Sequence, residues 1–431
     1  MSDRQHSRPR WHYAPRSSWM NDPNGLIHYA GTWHAFYQCN PSETVWGNMS
    51  WGHATSPDLL HWTEHPVALW HTATEQVYSG SCVFDATNSS GLGSTDWPPL
   101  VAIYTAHYLP GSARQGTEAQ WLAYSLDGGS HWTPYPGNPV LDRGSANFRD
   151  PKVFRHGDEW VMVAVEAEDQ QVLIHTSPDL VHWRYRSSFG PAHAAAGAWE
   201  CPDLFELPVD NDEGSKWVLL VNLNPGAVAG GSGCQYFVGD FDGVTFTPDA
   251  VVGVSTDRSL GLDDPLLRAY DWFDFGRDCY AVTSFADVPD QRRIVLGWMN
   301  NWDYAHHIPL TGGRSMMTVP RELGLVRLAD RYLLRQRPVR ELPASALLHH
   351  TLADGDHVPL HGVALEYHNG VLSLDRRGVG RGDFHEGFGT RQWAEIPERP
   401  SSVTVEVLID TCSIEVFAAA GLVTISDLVF F

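Results

Sequence analysis

The sequence predicts an all-β protein, a β-propeller followed by a small antiparallel β-sandwich. Short runs of apolar, β-branched and aromatic residues recur along the chain, separated by clusters of Gly, Pro, Asn, Asp and Ser, the pattern of successive hairpins. No long stretch carries helical period. One turn motif also returns: Ser56-Pro57-Asp58-Leu59-Leu60-His61-Trp62 is echoed by Ser125-Leu126-Asp127-Gly128-Gly129-Ser130-His131-Trp132 and by Ser177-Pro178-Asp179-Leu180-Val181-His182-Trp183, and more faintly by Phe241-Asp242-Gly243-Val244-Thr245-Phe246. Each copy is a strand, an Asp-centred turn, and an aromatic residue opening the next strand. Copies roughly fifty to seventy residues apart suit four-stranded blades better than an irregular sandwich.

Taken in order, the expected strands of the first domain are 26–29, 33–38, 100–105, 121–124, 160–165, 172–175, 217–223, 236–238, 280–284 and 294–298. After Leu334-Arg335-Gln336-Arg337-Pro338 the turn motif stops. Alternating strand patterns follow at 363–367, 371–374, 403–409, 413–417 and 422–428. The expected boundary therefore divides the chain into a propeller over 1–335 and a sandwich over 336–431.

Composition excludes several classes of function. A formal net charge of −22 argues against nucleic acid or an anionic membrane surface as a partner. No apolar run approaches a membrane span. The six cysteines, at 39, 82, 201, 234, 279 and 412, have no CxxC spacing and read as free thiols. The first eighteen residues are polar and carry Arg4, Arg8, Arg10 and Arg16, with no apolar segment of the kind export signals contain. A cytoplasmic location is the expectation, and a leader removed upstream of this sequence would reverse it. The 22 histidines lack metal-ligand spacing, and His306-His307 read as surface or structural. Neither a phosphate loop nor a dinucleotide fingerprint is present, so no metal or cofactor is expected.

Three short motifs carry the chemistry: Trp19-Met20-Asn21-Asp22-Pro23-Asn24-Gly25, Phe148-Arg149-Asp150-Pro151-Lys152 and Trp199-Glu200-Cys201-Pro202-Asp203. Each sets a carboxylate one or two residues before a proline inside an aromatic, apolar stretch. Asn21–Gly25 has the densest turn chemistry in the chain, and a turn opening into the strand 26–29 would put Asp22 at a strand end facing a propeller axis. Asp150 precedes a proline, which favours extended backbone there. Glu200 lies between an indole and a thiol in sequence, a collar expected to favour its protonated form. Two carboxylates held close, with a third beside them, are what cleavage of a glycosidic bond needs. The 18 tryptophans add flat apolar faces of the kind on which sugar rings stack, although most of so many must be core.

These motifs, with Tyr78-Ser79-Gly80-Ser81, Trp51-Gly52-His53-Ala54, Gly297-Trp298-Met299, Pro320-Arg321-Glu322-Leu323 and Ser413-Ile414-Glu415-Val416-Phe417, resemble glycoside hydrolase family 32, the invertases, exo-inulinases and levanases. The resemblance runs from about residue 11 to the end of the chain. It implies five blades and a retaining β-fructofuranosidase that releases terminal fructose from sucrose, fructo-oligosaccharides or fructans. Asp22 matches the family's nucleophile, Glu200 its acid/base, and Asp150 the acid that holds the fructose hydroxyls. Asn21, Gln38, Trp46, Ser79, Arg149 and Trp298 match the fructose subsite. Two departures stand out. Ser50 occupies a position where a His is common, which bears on the leaving-group side. The stretch 342–374 is short for the family's sandwich, so exposed strand edges would need cover, as from another subunit. Rival readings are an inverting propeller glycosidase acting on arabinose or xylose polymers, a fructosyltransferase using the same residues, and a weakly active fructan-binding protein.

Overall fold

The computed structural model describes residues 8–257, 260–310 and 312–431. Arg4 and the rest of the first seven residues, on which part of the leader reading rests, lie outside them. Five sheets of four consecutive strands form the blades. Blade I is Trp19–Tyr29, Thr32–Asn40, Ser50–Ser56 and Thr63–Leu69. Blade II is Glu75–Phe84, Leu100–Tyr108, Glu118–Ser125 and Thr133–Pro134, with Leu141–Asp142 paired to its third strand. Blade III comprises Phe148–His156, Glu159–Glu166, Gln171–Ser177 and Arg184–Phe189. Blade IV comprises Ala198–Pro208, Ser215–Asn224, Gly233–Phe241 and Phe246–Pro248. Blade V comprises Tyr280–Ser284, Arg293–Trp298, Arg321–Leu328 and Arg331–Pro338. Within each blade the strands pair antiparallel in sequence order. The innermost strands pack in a ring around the axis, and blade V closes on blade I through a bridge between Ile27 and Ala286.

The repeated turn joins the third strand of a blade to the fourth. In blade I, Asp58 Oδ1 accepts from the Ser56 hydroxyl and from the backbone N–H groups of Leu60 and His61, and Trp62 Nε1 donates to the Leu59 carbonyl. Asp179 and Trp183 repeat the arrangement in blade III. Asp127 and Trp132 form a one-residue-longer version in blade II. An aspartate reaching back to its own backbone fixes these turns locally.

Each innermost strand carries a β-bulge near its start. Register breaks fall between Met20 and Pro23, Val77 and Gly80, Arg149 and Lys152, Glu200 and Asp203, and Tyr280 and Thr283. Proline has no N–H to give a ladder, so bulges are among the few strand positions open to it. Pro23, Pro151 and Pro202 occupy three of these five. The Asn21–Gly25 stretch is accordingly no turn but the bulged start of a single strand, Trp19–Tyr29. Gly25 has φ +51°, and a Cβ there would stand 2.8 Å from Phe36 Cδ2. Asp150 likewise departs from the extended backbone expected before proline: the bulge holds it at φ +61°.

The sandwich is two four-stranded sheets. One is Leu347–Ala353, Ser402–Asp410, Ser413–Ala418 and Val423–Leu428; the other is Asp356–Leu360, Val363–His368, Val371–Asp375 and Arg391–Glu395. Alternating apolar residues such as Leu365, Leu374, Val405 and Ile414 fill the space between them. A buried ionic seam joins sandwich to propeller. Arg321 pairs with Asp274 at 2.8 Å and Glu415 at 2.7 Å, and Arg376 pairs with Asp278 at 2.7 Å. His12 lies between Asp410 at 2.8 Å and Glu415 at 2.7 Å. The six cysteines are free and buried.

Candidate active site

The bulges put their side chains at one mouth of the propeller axis. There they surround a cleft of about 390 Å³ lined by Asn21, Asp22, Gln38, Trp46, Ser79, Arg149, Asp150 and Glu200. Eight of the nine side chains picked from the sequence thus share one pocket, although they come from four blades. Below it the axis narrows to a void of about 20 Å³ between Asn24, Pro151, Pro202 and Thr283.

Asp22 is held from both sides: Asn21 Nδ2 donates to its Oδ1 at 3.0 Å and Ser79 Oγ to its Oδ2 at 2.8 Å. Asn21 is itself fixed by Trp19 Nε1, at 2.8 Å from its Oδ1. Asp150 accepts the Cys201 N–H at 2.9 Å, and its own N–H donates to Thr105 Oγ1 at 2.9 Å. The Cys201 thiol lies 3.7 Å from Oδ2 of both Asp22 and Asp150, so the two acids adjoin one sulfur. Burial, reinforced by those charges, pushes that thiol well above 9, and it remains a neutral donor.

Glu200 is not in the collar its sequence neighbours suggest. Trp199 turns into the core and donates to the Ala194 carbonyl, while Cys201 faces the aspartates. The alternation of strand side chains, broken by the bulge, separates them. Glu200 instead meets Arg149 Nη2 at 3.2 Å and accepts from the Tyr280 hydroxyl. Burial and the adjacent carboxylate keep that phenol protonated, its pKa well above 10. Arg149 also reaches Glu118 Oε2, at 3.4 Å.

Two of the acids are reluctant to ionise. Burial pushes Asp22 above the usual carboxylate range; the Asn21 and Ser79 hydrogen bonds pull it back, and the charge of Glu200 adds to the rise. Burial also carries Asp150 up to about 7 against the pull of Arg149, with Glu200 and Asp22 adding to the rise. Crowded carboxylates of this kind stabilise positive charge that develops between them, in a site already arranged for it.

Gln38 is buried and donates to the Val77 carbonyl at 2.9 Å, and Trp46 stands 39% exposed at the rim. Trp298 is the exception. It is fully buried with its Nε1 on Ser315, and Trp302, tilted against it at 4.8 Å, takes the place on the cleft wall. His306 is a surface residue, as expected, and it lies on that wall, stacked on Trp19 at 4.9 Å. Ser50 is buried away from the cleft, bonded to His71 Nδ1 at 2.9 Å. Tyr78, Glu118 and Asn224 line the cleft without having been singled out. Of these only Tyr78 carried a signal, beside Ser79 in its motif. Among the described residues no cluster of His, Cys, Asp and Glu has the arrangement of a metal site.

Comparison with known proteins places this geometry. The model of the glycosyl hydrolases family 32 N-terminal domain matches residues 12–338, and that of the family's C-terminal domain matches 365–430. A levanase of Bacillus subtilis is 39% identical over 98% of this chain, and an extracellular exo-inulinase of Aspergillus niger is 43% identical over 77% of it. The chain spans 66% of the levanase and 64% of that inulinase. The crystal structure of an exo-inulinase from Aspergillus awamori superposes with a TM-score of 0.88 at 35% identity, covering 99% of this chain and 93% of that one.

Proposed function

The chain belongs to glycosyl hydrolase family 32, and from that premise we propose that it is a retaining, exo-acting β-fructofuranosidase. The observation that carries this reading is the convergence of Asp22, Asp150 and Glu200 on one cleft that narrows to a waist below them. A pocket too narrow beneath its acids to pass a sugar takes the end of a chain rather than its middle.

In the proposed reaction a terminal fructosyl ring sits over the acids. Asp22 Oδ attacks the anomeric carbon while Glu200 gives its proton to the departing glycosidic oxygen. That step forms a fructosyl ester and frees the leaving sugar or shortened chain. Glu200, now a carboxylate, takes a proton from water, whose oxygen attacks the same carbon and releases Asp22. Two displacements restore the starting configuration. Asp150, anchored by the Cys201 N–H, and Arg149 would hold ring hydroxyls as the ring flattens toward an oxocarbenium ion. Tyr280 and Arg149 fix Glu200 on one side of the cleft, and Asn21 and Ser79 fix Asp22 on the other.

Relatives named levanase and exo-inulinase support a fructan or short fructoside as substrate. The exposed Trp46 at the rim offers a face on which a second sugar stacks. Asp22→Ala is expected to abolish turnover of sucrose, inulin and levan, and Glu200→Ala to lower kcat by roughly 10²–10⁴-fold, both with the thermal midpoint retained. NMR of the first product should show the β-anomer of fructose. Near-normal activity in either variant, or inversion at the anomeric carbon, would refute the roles assigned here.

A further inference from the structure

The far mouth of the propeller axis, below the narrow waist, opens into a second cavity of about 530 Å³, larger than the catalytic cleft. The far ends of the innermost strands of blades II to V build it. Its floor holds Lys152 and Asp203, whose charges are already matched: Lys152 Nζ lies 3.2 Å from Asp203 Oδ2, donates to Thr283 Oγ1 at 3.1 Å, and donates to the Ser284 carbonyl. All three ammonium N–H groups are thereby used.

Arg293, at the start of the second strand of blade V, is different. It lines this cavity with its guanidinium 4.9 Å from the centre of the Phe205 ring. Among the described residues it makes no ion pair and no side-chain hydrogen bond, and its Nε is buried without a partner. Asp203, already engaged by Lys152, acts on this guanidinium only from beyond ion-pair distance, and the planar fork of Arg293, bonded to no carboxylate, matches a carboxylate or phosphate. Glu206 and Asp287 also line the cavity, but both stand at its exposed rim, where water and salt screen them, and neither pairs with Arg293. The remaining wall is mixed: Phe154, Phe205 and Trp217 give it apolar faces, and Thr87, Arg155 and His156 give it polar ones. The space is far larger than an inorganic ion and falls within the range of small-molecule sites.

We propose that this distal cavity is a second ligand site, distinct from the catalytic cleft, that takes an organic oxyanion: a carboxylate or phosphate monoester on a ring-sized body. The oxyanion pairs with the Arg293 guanidinium and the body packs on Phe154 and Trp217. The proposal is independent of the catalytic reading, because no residue of the cleft wall lines the distal cavity.

Isothermal titration calorimetry of the full chain with phenyl phosphate, benzoate and inorganic phosphate tests it. At least one of the two organic anions is expected to bind with one-to-one stoichiometry, at least tenfold more tightly than inorganic phosphate; which of them binds distinguishes phosphate from carboxylate recognition. Arg293→Gln should weaken that binding tenfold or more. Arg293→Lys keeps the charge without the fork and should weaken it severalfold, giving a second reading should the glutamine variant not fold. Arg149→Gln, which removes the cation of the catalytic cleft, should leave the affinity unchanged. No binding of either organic anion at millimolar concentration, equal affinity in both Arg293 variants, or loss of binding in Arg149→Gln would each overturn the proposal.

Discussion

In the proposed reaction Asp22 must be ionised to attack, yet burial and Glu200 favour its protonated form. The sign of the consequence follows from linkage. A carboxyl that keeps its proton to higher pH loses its attacking form earlier as pH falls, so the acid limb of kcat/KM should lie above about pH 4, the ordinary carboxylate range. Ser79→Ala removes the hydroxyl bonded to Oδ2, one of the side-chain hydrogen bonds favouring the anion. That limb should then move further upward, with kcat/KM near pH 5 reduced roughly tenfold or more. A pH–rate profile superposing on that of the parent protein would contradict this account of Asp22. At this scale the acids were legible because each sits in a motif with a proline beside it. The partners of Glu200 were not. Tyr280 is 80 residues away and meets it only because two bulges on neighbouring blades align. The motif points to Trp298 and not to Trp302 because it marks a neighbourhood in sequence, whereas the fold decides which of two adjoining indoles faces the cleft.

Turns and bulges draw on the same residues, and that overlap divides what could be read at the level of elements. The Asp-centred turns were readable in full, since an aspartate bonding to backbone two and three residues ahead completes its structure locally. Their worth is testable. Asp58→Ala and Asp179→Ala each remove the acceptor of several hydrogen bonds at a partly exposed turn, and each should cost roughly 1 kcal/mol in urea denaturation. The two lie in different blades without shared partners, so the double variant should lose close to the sum. A loss confined to one site would show that the repeats have ceased to be equivalent. The bulges gave the opposite outcome. Pro23 and Gly25 punctuate a turn as readily as a bulge, and only the pairing of Trp19–Tyr29 with Thr32–Asn40 distinguishes them. The positive φ of Asp150, Cys201 and Ala281 belongs to the same device, repeated on successive blades, and gives side chains a direction regular strand geometry denies them.

The two domains of the whole molecule are joined by charge taken out of water. Burial works against a charged His12, but its bonds to Asp410 and Glu415 carry its pKa up to about 9. A histidine raised above its ordinary 6.5 adds stability that is fully present below that value and is lost as pH rises through about 9. The unfolding free energy should therefore decline across that window by an amount on the order of 3 kcal/mol, and His12→Gln should be less stable at pH 6 yet nearly flat from 6.5 to 9. A decline that persists in the variant would assign it to other groups. No local pattern announced this seam: His12 and Glu415 are 403 residues apart, and each reads as an ordinary polar residue in its own segment. What sequence did convey at this scale was the blade repeat, because a recurring turn is visible without knowledge of any contact; the boundary expected at 335 falls inside the last blade strand, Arg331–Pro338. The waist beneath the three acids has a consequence for traffic. In the proposed reaction the passage below is too narrow for a sugar, so the severed half would leave by the mouth through which water arrives. Whatever lingered in that doorway, whether solvent or another sugar, would then take the fructosyl group.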